Sequence, residues 1–317
     1  MTESPDCNMY KGLSFVIPTK DRPQKIENLL ESFLIQEFSC GRIIIVAFGQ
    51  NIEEVVNLYK DRLPVEYYHL AEGGQIRQRN YGLGLLTDET KLVGFLDDDI
   101  VLLPGSLKTM LDFWNSNEEE IAGVGFNVIN EESHQYSFLK SLFFASAREP
   151  GRILRSGKST RISDVKEDIQ TSWLNGGATI WKHEIIKSYH HQEVKSRWAI
   201  SEDVIFSYPI GKKYPLYICA EAKVRHEHDR DHTGNQKFYF YGKNKILWNY
   251  YFVKKNEDLS EASFFWSVFG GILFKCISAF QLDKVIFQEF IGEIQGIFRI
   301  LKLSFFGRET EEMLKDT

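Results

Sequence analysis

Three consecutive aspartates, Asp97, Asp98 and Asp99, close the apolar run Leu92–Leu96. A strand that ends in carboxylates delivers them to the carboxyl edge of a sheet, where open α/β sheets bind ligands. A hard divalent cation takes oxygen ligands, and Mg2+ or Mn2+ completes its shell around one or two carboxylates with water and substrate phosphates. A solvated acidic turn is the plainer account of such a cluster, but the strand before it and Pro104-Gly105 after it favour a metal site equally. Upstream, Gly73-Gly74-Gln75-Ile76-Arg77-Gln78-Arg79-Asn80 carries two arginines that offer cationic forks to a diphosphate, unless both are surface residues paired with nearby acids. Downstream, His226 and His228 share a face if their strand runs on, so spacing alone does not choose between them as a ligand.

Positioning these groups requires a scaffold, and the pattern supplies one. Short β-branched runs at Leu13–Ile17, Arg42–Ala47, Val65–Leu70, Lys91–Leu96 and Gly123–Val128 alternate with helical patterns, the mark of βαβ units around a mostly parallel sheet. Ile26, Leu29, Leu30, Phe33 and Leu34 fall on one helical face, with Asp21 and Pro23 as its start signal. Asn130–Thr171 has weak periodicity and reads as a long excursion, either a lid or a mobile segment. Beyond Lys237 the composition turns aromatic and helical, through Phe238–Tyr251, Ser263–Phe274 and Val285–Phe306. The expected division is a catalytic domain over 1–236 and a helical appendage over 237–317. Neither apolar run of the appendage reaches the ~18–20 charge-free residues of a membrane span. Its amphipathic helices, with Trp266 and flanking lysines, suit a membrane surface, a homo-oligomer contact or packing on the catalytic domain.

The order of these motifs resembles family 2 of the GT-A type nucleotide-sugar glycosyltransferases, over about residues 13–228. The first strand ends in Pro18-Thr19-Lys20-Asp21-Arg22, similar to the turn that holds the nucleoside in that family. Arg79-Asn80-Tyr81-Gly82 resembles its Arg-Asn-x-Gly helix, and Asn175-Gly176-Gly177-Ala178 its glycine-rich turn on the acceptor side. Glu202-Asp203 resembles its Glu-Asp pair, whose aspartate takes the proton of the acceptor hydroxyl; a neutral alcohol is a poor nucleophile without such a base. The resemblance also selects His226 to complete a metal site with Asp97 or Asp99. It implies a Rossmann-like sheet flanked by helices, a Mn2+ or Mg2+ cofactor, a nucleoside-diphosphate sugar donor, a saccharide or lipid-linked saccharide acceptor, and inversion at the anomeric carbon. Donor contacts are then expected from Pro18, Thr19, Asp21, Arg22, Arg77, Arg79, Asn80, Asp97 and Asp98. One departure stands out. Where the family has an acidic residue for the nucleobase, this chain reads Ala47-Phe48-Gly49-Gln50, so Gln50 is the substitute hydrogen-bonding group, and the base itself stays open.

Composition removes other classes. A net charge of −6 over 317 residues gives no sign of a nucleic-acid binder. Cys7, Cys40, Cys219 and Cys276 form no paired motif, and Met1–Tyr10 lacks a signal-peptide pattern, which together point to a cytoplasmic chain, at most attached to the cytoplasmic membrane face. A sugar-phosphate nucleotidyltransferase is the rival enzyme, but it calls for a glycine-rich loop directly after the first strand, and that loop is missing. A non-catalytic carbohydrate-binding protein on the same fold is the other rival, against which the retained acids and histidine argue.

Overall fold

The computed structural model describes residues 8–117, 120–189, 191, 200–228, 236–278, 284–305 and 314. The chain forms two compact units: Met1–His134 with Ile162–Glu193 and Phe206–His228, and Gln135–Arg161 with Val194–Ile205 and Asp229–Thr317.

The first unit is α/β, built on a nine-stranded sheet, with the helices α2 (Glu53–Asn57), α4 (Ser106–Ser116) and α6 (His183–Ile186) among its connections. Strands β1 (Asn8–Lys20), β2 (Phe38–Phe48), β3 (Val65–Leu70) and β4 (Leu92–Leu96) run parallel in the order β3-β2-β1-β4. The centres of three of them, residues 15–17 of β1, 43–47 of β2 and Leu92–Leu96, are apolar and buried throughout, as in a sheet covered on both faces, whereas the edge strand β3 is mostly half-buried. Helix α1 (Pro23–Leu34) buries Ile26, Leu29, Leu30 and Phe33, each worth roughly 1.5–3 kcal/mol of apolar burial. Pro23 stands at its first turn, where the missing N–H costs nothing. Asp21 does not cap this helix. It turns the chain with φ 56° and accepts instead from the Gln50 backbone N–H at 2.7 Å.

Beyond β4 the sheet changes character. Strand β8 (Ala178–Lys182) runs antiparallel to both β4 and β6 (Gly123–Val128), and β9 (Leu216–His226) runs parallel to β6. The short β5 (Ile100–Leu102) and β7 (Ile169–Thr171) both pair antiparallel with β9. The β6–β9 register jumps after Phe126↔Cys219 to Asn127↔Lys223. The buried Asn127 amide satisfies the disrupted backbone, donating to Ala220 O at 2.8 Å and Val165 O at 2.9 Å. Past that bulge β9 reaches the aspartate turn, with Ile100 opposite His226.

The second unit contains α8 (Gln236–Lys255), α9 (Glu261–Ser278) and α10 (Lys284–Phe305) around Leu247, Trp248, Tyr251, Phe264 and Ile300. Helices α8 and α10 approach backbone to backbone: a Cβ on Gly242 would stand 2.2 Å from Glu289 O, and one on Gly292 2.0 Å from Tyr239 O. Part of the expected excursion, Gln135–Arg161, is folded into this unit. Its helix α5 (Phe138–Ser141) is capped by Ser137, and Phe143 stacks on Trp266 with ring centroids 5.1 Å apart. Among the described residues no helix is long and apolar enough to cross a membrane.

Candidate active site

The three aspartates sit in different settings, and Asp98 and Asp99 share Arg22. Asp97 N–H donates to Gly177 O at 2.8 Å, which fixes the start of the turn against the β8 side. The Asp97 carboxylate accepts from Arg79 Nη2 at 2.7 Å and Gln75 Nε2 at 2.8 Å. Arg79 is almost wholly buried, whereas Arg77 is half exposed and pairs with Glu72. The two forks are therefore separated: α3 (Gln75–Gly84) turns one in to hold an aspartate and leaves the other at the surface. Gly176 and Gly177 admit this pair, since a Cβ on Gly177 would meet Asp97 Oδ2 at 2.1 Å and one on Gly176 would meet Arg79 Nη1 at 2.8 Å. Asn175 stands beside them in the same turn, half-buried.

Asp98 is buried and accepts from Thr19 Oγ1 at 2.7 Å and Arg22 Nη1 at 3.0 Å. Burial pushes its carboxyl up to about 6, against the pull of Thr19 and Arg22. Asp99 accepts from the same Arg22 Nη1 through Oδ2 at 3.4 Å, and its Oδ1 lies 3.0 Å from His226 Nε2. Burial alone would raise the Asp99 carboxyl, but its contact with His226 brings it below the ordinary range. The other His226 nitrogen, Nδ1, lies 2.9 Å from Glu131 Oε1, which also takes His228 Nε2 at 3.2 Å. Desolvation opposes charge on His226, yet two carboxylates lift it to about 10; the same contact, with help from Ser163, lowers Glu131 to about 2. The two carboxylates thus favour the charged form of the ring between them.

Ligand atoms of Asp99, His226 and His228 lie within 4.8 Å of one another, the one such His/Asp group among the described residues. Carboxylate and imidazole donors on a common point suit a divalent cation. The cluster takes Asp99 rather than Asp97, and it includes both histidines between which spacing did not choose.

The turn after β1 lies beside these acids. Thr19 pairs with Ala47 and Lys20 with Phe48 across β1 and β2. From α3, the buried Gln78 donates to Thr19 O at 2.7 Å and Val46 O at 2.6 Å, tying both strand ends to the helix. Pro18 completes the strand end opposite Val46. Phe48 packs on Gly73, where a Cβ would come within 2.0 Å of its ring, and Lys20 Nζ sits 5.4 Å from the ring centroid. Gln50 is exposed at the rim, held by Asp21 through its backbone. Asn80 points elsewhere: its amide donates to His191 O at 2.9 Å.

A profile of glycosyl transferase family 2 matches residues 14–174, half of the chain. The chain belongs to glycosyl transferase family 2. It is 23% identical over 223 residues to the minor teichoic acid biosynthesis protein GgaA of Bacillus subtilis, covering 66% of this chain and 46% of that one. It is 30% identical over 114 residues to the GalNAc(5)-diNAcBac-PP-undecaprenol beta-1,3-glucosyltransferase of Campylobacter jejuni, covering 35% and 37%. The chain therefore spans less than half the length of these curated relatives. Among solved structures, the mannosyltransferase PcManGT of Pyrobaculum calidifontis, in complex with GDP-Man and Mn2+, superposes with a TM-score of 0.56 at 10% identity, covering 90% of this chain and 87% of that one. That likeness establishes a shared fold.

Two residues around the site of this family 2 chain carry no local signal in the sequence. Glu131 lies in the weakly patterned excursion, where nothing marks a functional acid; its partner is set by β9. Gln78 sits between two arginines that drew attention as ion-pairing groups, although its neutral amide makes the structural bonds. The Glu202-Asp203 pair occupies the first turn of α7 (Glu202–Gly211), directly after Ser201 with φ 62°, and Asp203 Oδ1 accepts from the Val204 N–H at 2.8 Å. These two acids belong to the second unit, and Trp198 before them lies outside the described residues.

Proposed function

We propose that this chain is an inverting glycosyltransferase that moves a sugar from a nucleoside-diphosphate donor to an acceptor hydroxyl, in polysaccharide or glycolipid synthesis. One observation carries the reading: Asp98 and Asp99 converge with His226 and His228 beside the Thr19–Arg22 turn, at the carboxyl ends of β1 and β4. Asp99, His226 and His228 would hold Mn2+ or Mg2+, and imidazole ligands favour Mn2+. When bound, the ion neutralises charge that builds on the departing diphosphate.

The remaining work falls to the chain. Thr19, Asp21, Phe48 and Gln50 form the nucleoside end, with Gln50 at the position of the missing acid. Arg79 and Gln75 hold the Asp97 carboxylate in position beside the donor, while Arg22 balances Asp98 and Asp99. Asp203 takes the proton from the acceptor hydroxyl as its oxygen attacks, and Glu202 orients that acceptor. A single displacement with base and leaving group on opposite faces of the sugar inverts the anomeric centre. The relatives' roles, in minor teichoic acid biosynthesis and as an undecaprenol-linked beta-1,3-glucosyltransferase, support a cell-wall polymer or a lipid-linked oligosaccharide as acceptor, and the GDP-Man and Mn2+ of the mannosyltransferase support the donor and metal classes.

The test is a thermal-shift panel of nucleoside diphosphates with and without Mn2+, followed by sugar release from the matching donor. A ligand at about a hundred times its Kd stabilises by ~2.7 kcal/mol. Metal-dependent stabilisation that Asp99→Asn removes is the expected result; a chain that responds to no nucleoside diphosphate refutes the reading.

A further inference from the structure

We infer that the second compact unit docks on the surface of an anionic lipid bilayer through one mixed aromatic and cationic face. This goes beyond the transfer reaction and stands apart from it.

Large apolar side chains lie open on three elements of that unit. Phe138 and Leu142 on and after α5, Trp266 and Phe269 on α9, and Phe287, Phe298 and Phe305 on α10 are all more than one-third exposed, Phe298 reaching 68% and Phe305 85%. On α10 the exposed rings recur at helical spacing, so they form a stripe rather than scattered residues. The α5 and α9 groups form one patch. Trp266 Nε1 donates to Leu142 O at 2.9 Å, and Phe143 lies against Trp266, Phe269 and Phe274. These rings are held outward by packing beneath them. Exposed apolar area on this scale marks an interaction surface.

Charge says what covers it. Residues 135–161 contain six Lys/Arg, five of them besides the inward-turned Lys158, and a single acid, Glu149, which is itself paired with Arg152 at 2.5 Å. Lys140 lies between Phe138 and Leu142, and Arg148 stands over the Tyr136 ring at 5.6 Å, so the cations are interleaved with the aromatic patch. Meanwhile the acids of α10 turn inward: Glu289 and Glu293 both lie within 3 Å of Lys275 Nζ. Glu261 of α9 is taken by Lys254 at 2.7 Å and by Tyr250. The outer face thus presents rings and cations with its carboxylates withdrawn or paired. A second copy meeting the same face would set two basic segments against each other. An anionic membrane surface satisfies both the rings and the charge, and since no described helix is fit to cross a bilayer, the unit lies in the headgroup layer.

The test uses the full chain in co-flotation with vesicles of phosphatidylcholine alone or mixed with phosphatidylglycerol. Binding should require phosphatidylglycerol and weaken with salt. Lys140→Ala/Arg148→Ala should lower the partition coefficient by about five-fold per cation, ~25-fold in all. Phe138→Ser/Phe298→Ser, at sites already exposed in the fold, should lower it at least about ten-fold. Nucleoside-diphosphate thermal shifts unchanged in both variants establish that they fold; absence of those shifts in every form counts against the transfer reading, and leaves flotation to decide the docking. The inference is overturned if the wild-type chain stays unbound to phosphatidylglycerol vesicles, if both variants float like the wild type, or if sedimentation shows a dimer that Phe138→Ser/Phe298→Ser dissolves without any vesicle binding.

Discussion

Asp99 and Glu131 stand 3.0 and 2.9 Å from the two ring nitrogens of His226 and favour its charged form. A metal bound at Nε2 must displace one of its protons. With the ring lifted to about 10, it is essentially fully protonated at neutral pH, so Mn2+ binding should release roughly one proton per ion. Apparent affinity should then rise about ten-fold per pH unit between about pH 6.5 and 9, up to the ring's own pKa. The perturbation is Glu131→Gln, which leaves an amide at Nδ1 in place of a carboxylate. The ring pKa falls, the proton count at pH 7.5 drops below that of the wild type, and metal affinity weakens by ~10–100-fold as the ring loses its orienting partner. Calorimetry in two buffers of different ionisation enthalpy, at fixed nucleoside diphosphate, counts the protons directly. A count near zero in the wild-type chain, or an affinity flat with pH, refutes the argument. Linkage supplies an independent check on sign. A raised His pKa stabilises the fold below the unfolded value near 6.5, and that contribution is lost as pH climbs through about 10. Metal-free protein should therefore lose stability on the alkaline side, less so in Glu131→Gln.

Other consequences are equally direct. Asp203→Asn should slow transfer by ~10²–10⁴-fold with donor affinity nearly unchanged, and Glu202→Gln should lose less; if Asp203→Asn weakens donor binding as much as turnover, the base lies elsewhere. Arg79→Met breaks a buried pair and should cost ~3 kcal/mol in denaturant unfolding, against less than about 0.5 kcal/mol for the exposed Arg77→Ala. Gly177→Ala pushes a methyl against Asp97 Oδ2 and should cost about 1–3 kcal/mol, with a matching loss of diphosphate affinity; retention of both would show that the turn yields freely.

The parts legible in the sequence are those built from local pattern. Continuous apolar runs ending in Pro18-Thr19 and Asp97 marked strands whose carboxyl ends meet at one edge, and β1 and β4 do lie side by side. The C-terminal helices were legible from their spacing, beginning and ending within a few residues of the apolar periodicity. What pattern could not supply was long-range pairing. Glu131 gains its meaning only from His226, and that contact depends on a bulge in the β6–β9 ladder which no local signal announces. The Gln135–Arg161 segment looked like an excursion because its apolar residues, Phe143 above all, find partners on α9 more than a hundred positions away. Conversely, Arg77 and Arg79 look equivalent in sequence, and only the helix phase separates an internal strut from a surface charge.

The β5–β9 pairing also sets an order of events during synthesis. The aspartate turn leaves the ribosome long before β9 exists, and until Ile100 finds His226 opposite it, Asp98 and Asp99 form a patch of oxygen donors without an imidazole. Non-local pairings of this kind close late, since chain entropy is spent before the contact rewards it. A nascent or truncated chain ending short of β9 would then behave as an indiscriminate acidic site, attracting Mg2+ or Ca2+ as readily as Mn2+. Any preference of the proposed site for Mn2+ would in this sense be a property of the finished fold, acquired when the last strand of the sheet docks.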